Sequence, residues 1–212
     1  MLGFIHFIDH LSTYVGKAFG WLILVLALAI TYEVFVRYAL KDPTAWAFDI
    51  SYIMYGAMFM MAGAYTLSHD GHVRGDVIYR LWQPKVQARI ELVLYFIFFF
   101  PGILALIYAG IVYADESWAY RPYGPTGPIG EVAINSPAGI PVSPLKTLLP
   151  LAAFFALLQG IAEVTRCISC IKTGIWPARL KDVEELDVAL EHKEELLQAA
   201  DEMLHGRRGG KR

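Results

Sequence analysis

The sequence predicts an all-α integral membrane protein: four transmembrane helices, with an amphipathic helix ahead of them and another helix behind. Two observations predict it. First, formal charge is missing from long stretches: 50–68, 92–114 and 147–162 carry none, and 18–36 carries only Glu33. A helix crosses roughly 30 Å of hydrocarbon with about 20 apolar residues, so spans are expected near 18–39, 46–68, 91–114 and 144–168. Second, the middle two stretches have no polar face, which the helices of a soluble four-helix core would need. The chain as a whole is 56% hydrophobic and 18% charged.

The elements follow in order. Over residues 2–19, Phe4, Ile5, Ile8, Leu11, Val15 and Ala18 recur at helical spacing, with Asp9, His10, Thr13 and Lys17 elsewhere. This pattern predicts an amphipathic helix over 1–17 lying in the membrane interface. The same stretch lacks the continuous apolar core and cleavage site of a signal peptide, so span one is expected to stay in the mature protein. Span one ends at Arg37-Tyr38. Pro43 then stops any helix, and Thr44 is placed to cap the next one. So short a link makes spans one and two antiparallel neighbours. Span two carries small residues at Gly56, Ala57, Ala62, Gly63 and Ala64, which let helices approach closely in lipid. The polar connection His69–Arg89 follows. Span three contains Pro101-Gly102, where a bend is expected because proline removes a helix hydrogen bond.

The next stretch, RPYGPTGPIGEVAINSPAGIPVSP, holds six of the eleven prolines. It is too rich in Pro and Gly for helix or central strand, and a loop this long, 115–143, signals a contact surface or disorder. Ser143-Pro144 reads as the cap and first position of span four. After Trp176-Pro177 the composition turns to Glu, Leu and Ala, which predicts a cytoplasmic amphipathic helix within 176–212 and a disordered GRRGGKR tail. Lys193 interrupts its near-heptad seam and argues against a long coiled coil.

Lysine and arginine set the orientation, because positive loops stay in the cytoplasm. With both termini inside, fourteen of the 18 basic residues lie inside and four outside. The His69–Arg89 connection is then cytoplasmic, and its basic residues contact lipid headgroups. Net charge is −2, so nothing points to a nucleic-acid partner.

Candidate sites are few. His69, His72, Asp70 and Asp76 could bind a metal, but a site needs three or four converging ligands and this loop has no cysteine and no HExxH helix. All six histidines lie outside the apolar stretches, whereas membrane haem needs axial ligands within the bundle. Cys167 and Cys170 form a CxxC at the C-terminal end of a helix, where the dipole disfavours a thiolate, so packing is their simplest role. Glu33 is the one carboxylate well inside a span, and Arg37 is its i+4 partner. Trp46 suits the interfacial belt, and Asp49 the positive end of span two. No span carries the paired interruptions that build a transporter's midplane site.

Arg37-Tyr38, Trp46-x-x-Asp49 and His72-Val73-Arg74-x-Asp76, in this order relative to four spans, resemble the small membrane subunit of a tripartite ATP-independent periplasmic (TRAP) transporter. Gly139-Ile140-Pro141, Leu148-Leu149-Pro150-Leu151 and Leu158-Gln159-Gly160 agree, and the resemblance covers about 1–175. It implies a non-catalytic scaffold in the bacterial inner membrane, with no cofactor of its own. The implied partners are membrane lipids, a large subunit holding the sodium and solute sites, and a periplasmic solute-binding protein delivering an organic acid or similar solute. Glu33, Arg37, Trp46, Asp49, His72, Arg74 and Asp76 are then expected at a subunit or lipid interface. The long Pro-rich loop and the acidic C-terminal helix depart from the family pattern. The rival reading is the membrane anchor of a redox complex, which a bound haem spectrum would reveal.

Overall fold

A computed structural model describes residues 2–69, 79, 81–121, 130–177 and 179. The HVRGD stretch with His72, Arg74 and Asp76, residues 122–129 of the Pro-rich loop and the C-terminal amphipathic helix and tail lie outside the described residues. Six α-helices carry the rest: α1 (Leu2–Gly20), α2 (Leu22–Phe35), α3 (Trp46–Ser68), α4 (Pro84–Leu94), α5 (Phe100–Ala119) and α6 (Ser143–Thr173). Among the described residues, four segments are long and apolar enough to span a membrane: Gly3–Leu40, Trp46–Ser68, Pro84–Ala119 and Ser143–Thr173. The chain is an all-α membrane protein with four such spans.

Only Trp21 separates α1 from α2, so the predicted boundary near residue 17 falls inside a continuous run of helix. The buried face of α1 is Ile5, Ile8, Asp9, Ser12 and Thr13, while Phe4 and Phe7 are exposed. Ile5 and Ile8 of the expected apolar stripe lie on this face, beside Asp9, which pairs with Arg166 of α6.

A π turn, Val36–Leu40, ends α2, and Lys41 closes it in the left-handed region at φ 57°. Thr44 does not cap α3, whose N-terminus at Ala45 has no side-chain cap. The Thr44 hydroxyl turns back to Glu33 instead. A second π turn, Tyr95–Phe99, joins α4 to α5. It lies just before Pro101: proline has no N–H to return to Ile97, and the widened turn absorbs the break.

Close approaches lock the helices together. A Cβ at Gly16 would lie 2.4 Å from Tyr65 Cβ, and one at Gly160 would lie 2.2 Å from the Phe99 ring. Gly110 faces the Pro150 ring and Gly56 faces Leu145. In lipid, where apolar burial between helices gains little, such backbone approach is what packing relies on. Of the small residues in span two, Ala57 and Ala64 are buried within the chain and Gly63 opens onto free space.

Where α4 meets α6, Cys167 and Cys170 are fully buried, not joined in a disulfide, and packed with Ala88. The Cys170 thiol lies 3.6 Å from the Pro84 carbonyl, and that of Cys167 3.7 Å from a Glu91 carboxylate oxygen.

Candidate interaction site at the loop end of the bundle

The expected residues on spans one and two meet where α2 turns into α3. Glu33 is buried, and its Oε1 accepts from Arg37 Nε at 2.9 Å and Nη2 at 2.6 Å. Its Oε2 accepts the Thr44 N–H at 3.0 Å and the Thr44 hydroxyl. One carboxylate therefore pins both its own helix end and the chain leaving it. The Arg37 side chain stays 54% exposed, free to meet a headgroup or a neighbour. Trp46 stacks on Tyr32 at 6.2 Å between ring centroids, tying the same corner from its apolar side.

Asp49 does more than answer the dipole of α3. It is fully buried, and its Oδ2 accepts from Ser136 Oγ at 2.5 Å and from Ala138 N at 3.2 Å. Its Oδ1 is buried without a partner. Asp49 thus straps the Pro-rich loop onto span two. The other strap is Ser143, also fully buried. Its hydroxyl accepts from Glu131 N at 3.1 Å and donates to the Ser117 carbonyl at 3.1 Å. Ser143 is therefore the first residue of α6 and not its cap, because the loop claims the hydroxyl. Gly130, at φ 104°, lies where a Cβ would sit 2.6 Å from that oxygen. Residues 130–142 form no strand, only a bridge between Val132 and Pro141.

A cavity of about 430 Å³ opens beside this loop, lined by Tyr113, Glu116, Tyr120, Glu131, Ile134 and Lys146 among others. Lys146 pairs with Glu131 and lies 3.9 Å over the Tyr113 ring. The hydrogen bond from Lys146 holds the Glu131 carboxyl below its usual range, against a smaller upward push from desolvation.

The opposite end of the bundle holds a polar network the sequence reading did not single out. Arg166, fully buried, pairs with Asp9 of α1 and donates to Glu163 Oε1 at 2.5 Å. Gln159 Nε2 donates to Asp9 Oδ1 at 2.8 Å, and Ser12 Oγ donates to Gln159 Oε1 at 3.1 Å. The legible signal was Gln159, Glu163 and Arg166, spaced four and three apart on one face of a span. Among the described residues, no group of three or more His, Cys, Asp or Glu is placed to hold a metal ion.

Four long apolar helices, cross-tied by buried polar groups at both ends, define a multi-pass α-helical membrane component. The family profile described as tripartite ATP-independent periplasmic transporters, DctQ component, matches residues 26–170. The chain belongs to that family and is a membrane component of a TRAP transporter in the inner membrane. The match spans Glu33, Arg37, Trp46, Asp49, His72, Arg74 and Asp76, and excludes α1. No curated protein matches the chain.

Proposed function

We propose that the chain is the non-catalytic scaffold subunit of a sodium-coupled TRAP transporter. It pairs with a large membrane subunit that holds sodium and solute, and a periplasmic binding protein delivers an organic acid or similar solute to the pair. The observation that carries this reading is how the buried polar groups are used. Asp9, Gln159 and Arg166 join α1 to α6, Glu33 fixes the corner after α2, and Asp49 fastens a loop. These are ties between elements of one chain, the chemistry of a rigid frame. The outward faces suit the same role: on the third span Phe96, Ile97, Phe98, Leu104, Tyr108 and Ile111 are all exposed, a surface for lipid and for a larger membrane partner.

In this reading both termini and the 69–89 connection are cytoplasmic, and Glu33, Arg37, Trp46, Asp49, His72, Arg74 and Asp76 serve interfaces with lipid or the large subunit. Co-expressed large and small subunits are expected to purify together, while calorimetry on the isolated small subunit detects no solute. Saturable, solute-specific heat from the small subunit alone refutes the proposal. Arg74→Ala is expected to lower recovery of the complex or its uptake rate more than Arg80→Ala does, and equal wild-type uptake by both variants removes Arg74 from the interface.

A further inference from the structure

Span one and the helix ahead of it form one run, Gly3–Leu40, of 38 residues. At 1.5 Å per residue such a run is roughly 57 Å long, nearly twice the roughly 30 Å of hydrocarbon. Residues 22–40 alone cover roughly 28 Å, so α1 is left at the boundary with water. Its contacts agree. Gly16 meets Tyr65 about one turn before α3 ends at Ser68, and Asp9 meets Arg166 about two turns before α6 ends at Thr173.

Two sectors of α1 turn away from the bundle. Phe4, Phe7, Tyr14 and the following Trp21 are each more than half exposed, and they fall within about 100° of one another around the helix axis. His6, His10 and Lys17, also exposed, fall within about 40° of one another, beside the aromatic sector. Asp9 is the one carboxylate of α1, and it faces inward to Arg166. The outward surface is therefore aromatic and rich in hydrogen-bond donors, with no carboxylate on it. From Trp21 the chain continues into Ile23, Leu24, Val25 and Leu28, exposed side chains of an apolar span.

We propose that this outward face of α1 is a binding surface for anionic phospholipid headgroups. The aromatic side chains sit between headgroups and acyl chains, the depth that suits such rings. His6, His10 and Lys17 donate to phosphate oxygens. A face with a cation and no carboxylate prefers phosphatidylglycerol to phosphatidylcholine, by a factor of about five for one basic residue near the surface. The continuation into the exposed apolar side chains of span one selects a bilayer over a soluble protein. Turning Asp9 inward thus does two things: it ties α1 to α6, and it clears the outer surface of a charge that would repel the headgroups.

The test uses the full chain in phosphatidylcholine nanodiscs, with a fluorophore on Ala18→Cys, an exposed position in the aromatic sector. Cys167 and Cys170 are fully buried and stay unlabelled. Quenching by phosphatidylglycerol with a nitroxide high on its acyl chain is compared with quenching by phosphatidylcholine labelled the same way. Phosphatidylglycerol is expected to be enriched about fivefold beside position 18. His10→Glu and Lys17→Glu, both at exposed positions, are each expected to bring the two lipids to equality there. Neither substitution should change the ratio read from a fluorophore on Tyr38→Cys, at the other end of span one. Equal quenching by the two lipids in the chain with His10 and Lys17 intact overturns the proposal. So does an enrichment that survives both substitutions, or one that falls at position 38 as much as at 18. No quenching by either lipid gives the face to water or to a protein, and loss of the enrichment on adding inorganic phosphate at constant ionic strength gives it to a free anion; both overturn the proposal.

Discussion

At the scale of single residues, the molecule places charge where removing one member strands another. Arg166 faces Asp9 and Glu163 with no water-exposed surface on any of the three. Breaking a buried pair from one side costs about 3–5 kcal/mol, because the remaining charge stays buried. Arg166→Ala is therefore expected to lower the thermal unfolding midpoint in detergent far more than Arg37→Ala, whose side chain is half exposed; similar shifts for the two would count against this. Glu131 gives a pH prediction. Its carboxyl is held below the usual 4.5 by Lys146, so its tie stabilises the loop above that pH and is lost as pH falls through the lower folded value. An NMR carboxyl titration should place the Glu131 midpoint below 4.5, and Lys146→Gln should move it up. Glu33, with its i+4 partner Arg37, was legible in the sequence. The loop partners of Asp49 were not, because Ser136 lies 87 positions away and no periodicity links them.

At the scale of elements, glycine and proline decide which helices touch. Gly160 admits the Phe99 ring and Gly63 faces open space. Gly160→Ala is expected to cost about 1–3 kcal/mol through overpacking. Gly63→Ala is expected to be neutral or to gain up to about 1 kcal/mol from helix propensity. Chemical denaturation of the purified chain separates the two, and equal effects would deny the close approach. The sequence announced the apolar spans through missing charge, while the π turn before Pro101 came only with the structure. The sequence reading misplaced the caps at Thr44 and Ser143, because each hydroxyl finds a partner outside its own helix. An apolar stripe at helical spacing in α1 also does not reveal that Asp9 beside it meets an arginine of α6.

At the scale of the whole molecule, the two ends of the bundle are stabilised differently. One end is closed by an extended loop bonded to Asp49 and Ser143, the other by α1 held across to α6. The bias of lysine and arginine predicts which end meets the cytoplasm. A single cysteine replacing Arg80 should resist impermeant thiol reagents in intact cells and react once the membrane is opened; labelling of intact cells would invert the topology. Four spans were legible because the cost of burying charge in hydrocarbon writes itself into composition. The cross-ties were not, because each joins residues distant in the chain and unremarkable alone.

The pairing of Asp9 with Arg166 has a consequence for biogenesis. The two are separated by 157 positions, so during synthesis the first helix is complete long before its partner exists. Until α6 arrives, Asp9 has no cation to meet in the bundle and keeps its carboxylate at water, because an unpaired charge is costly to bury. The first helix can pack on the second span through Gly16 and Tyr65 early, but its Asp9 tie forms only once the final span is in place. Ribosome-stalled chains ending before residue 143 should leave a cysteine at position 12 open to labelling, and chains released after residue 176 should protect it.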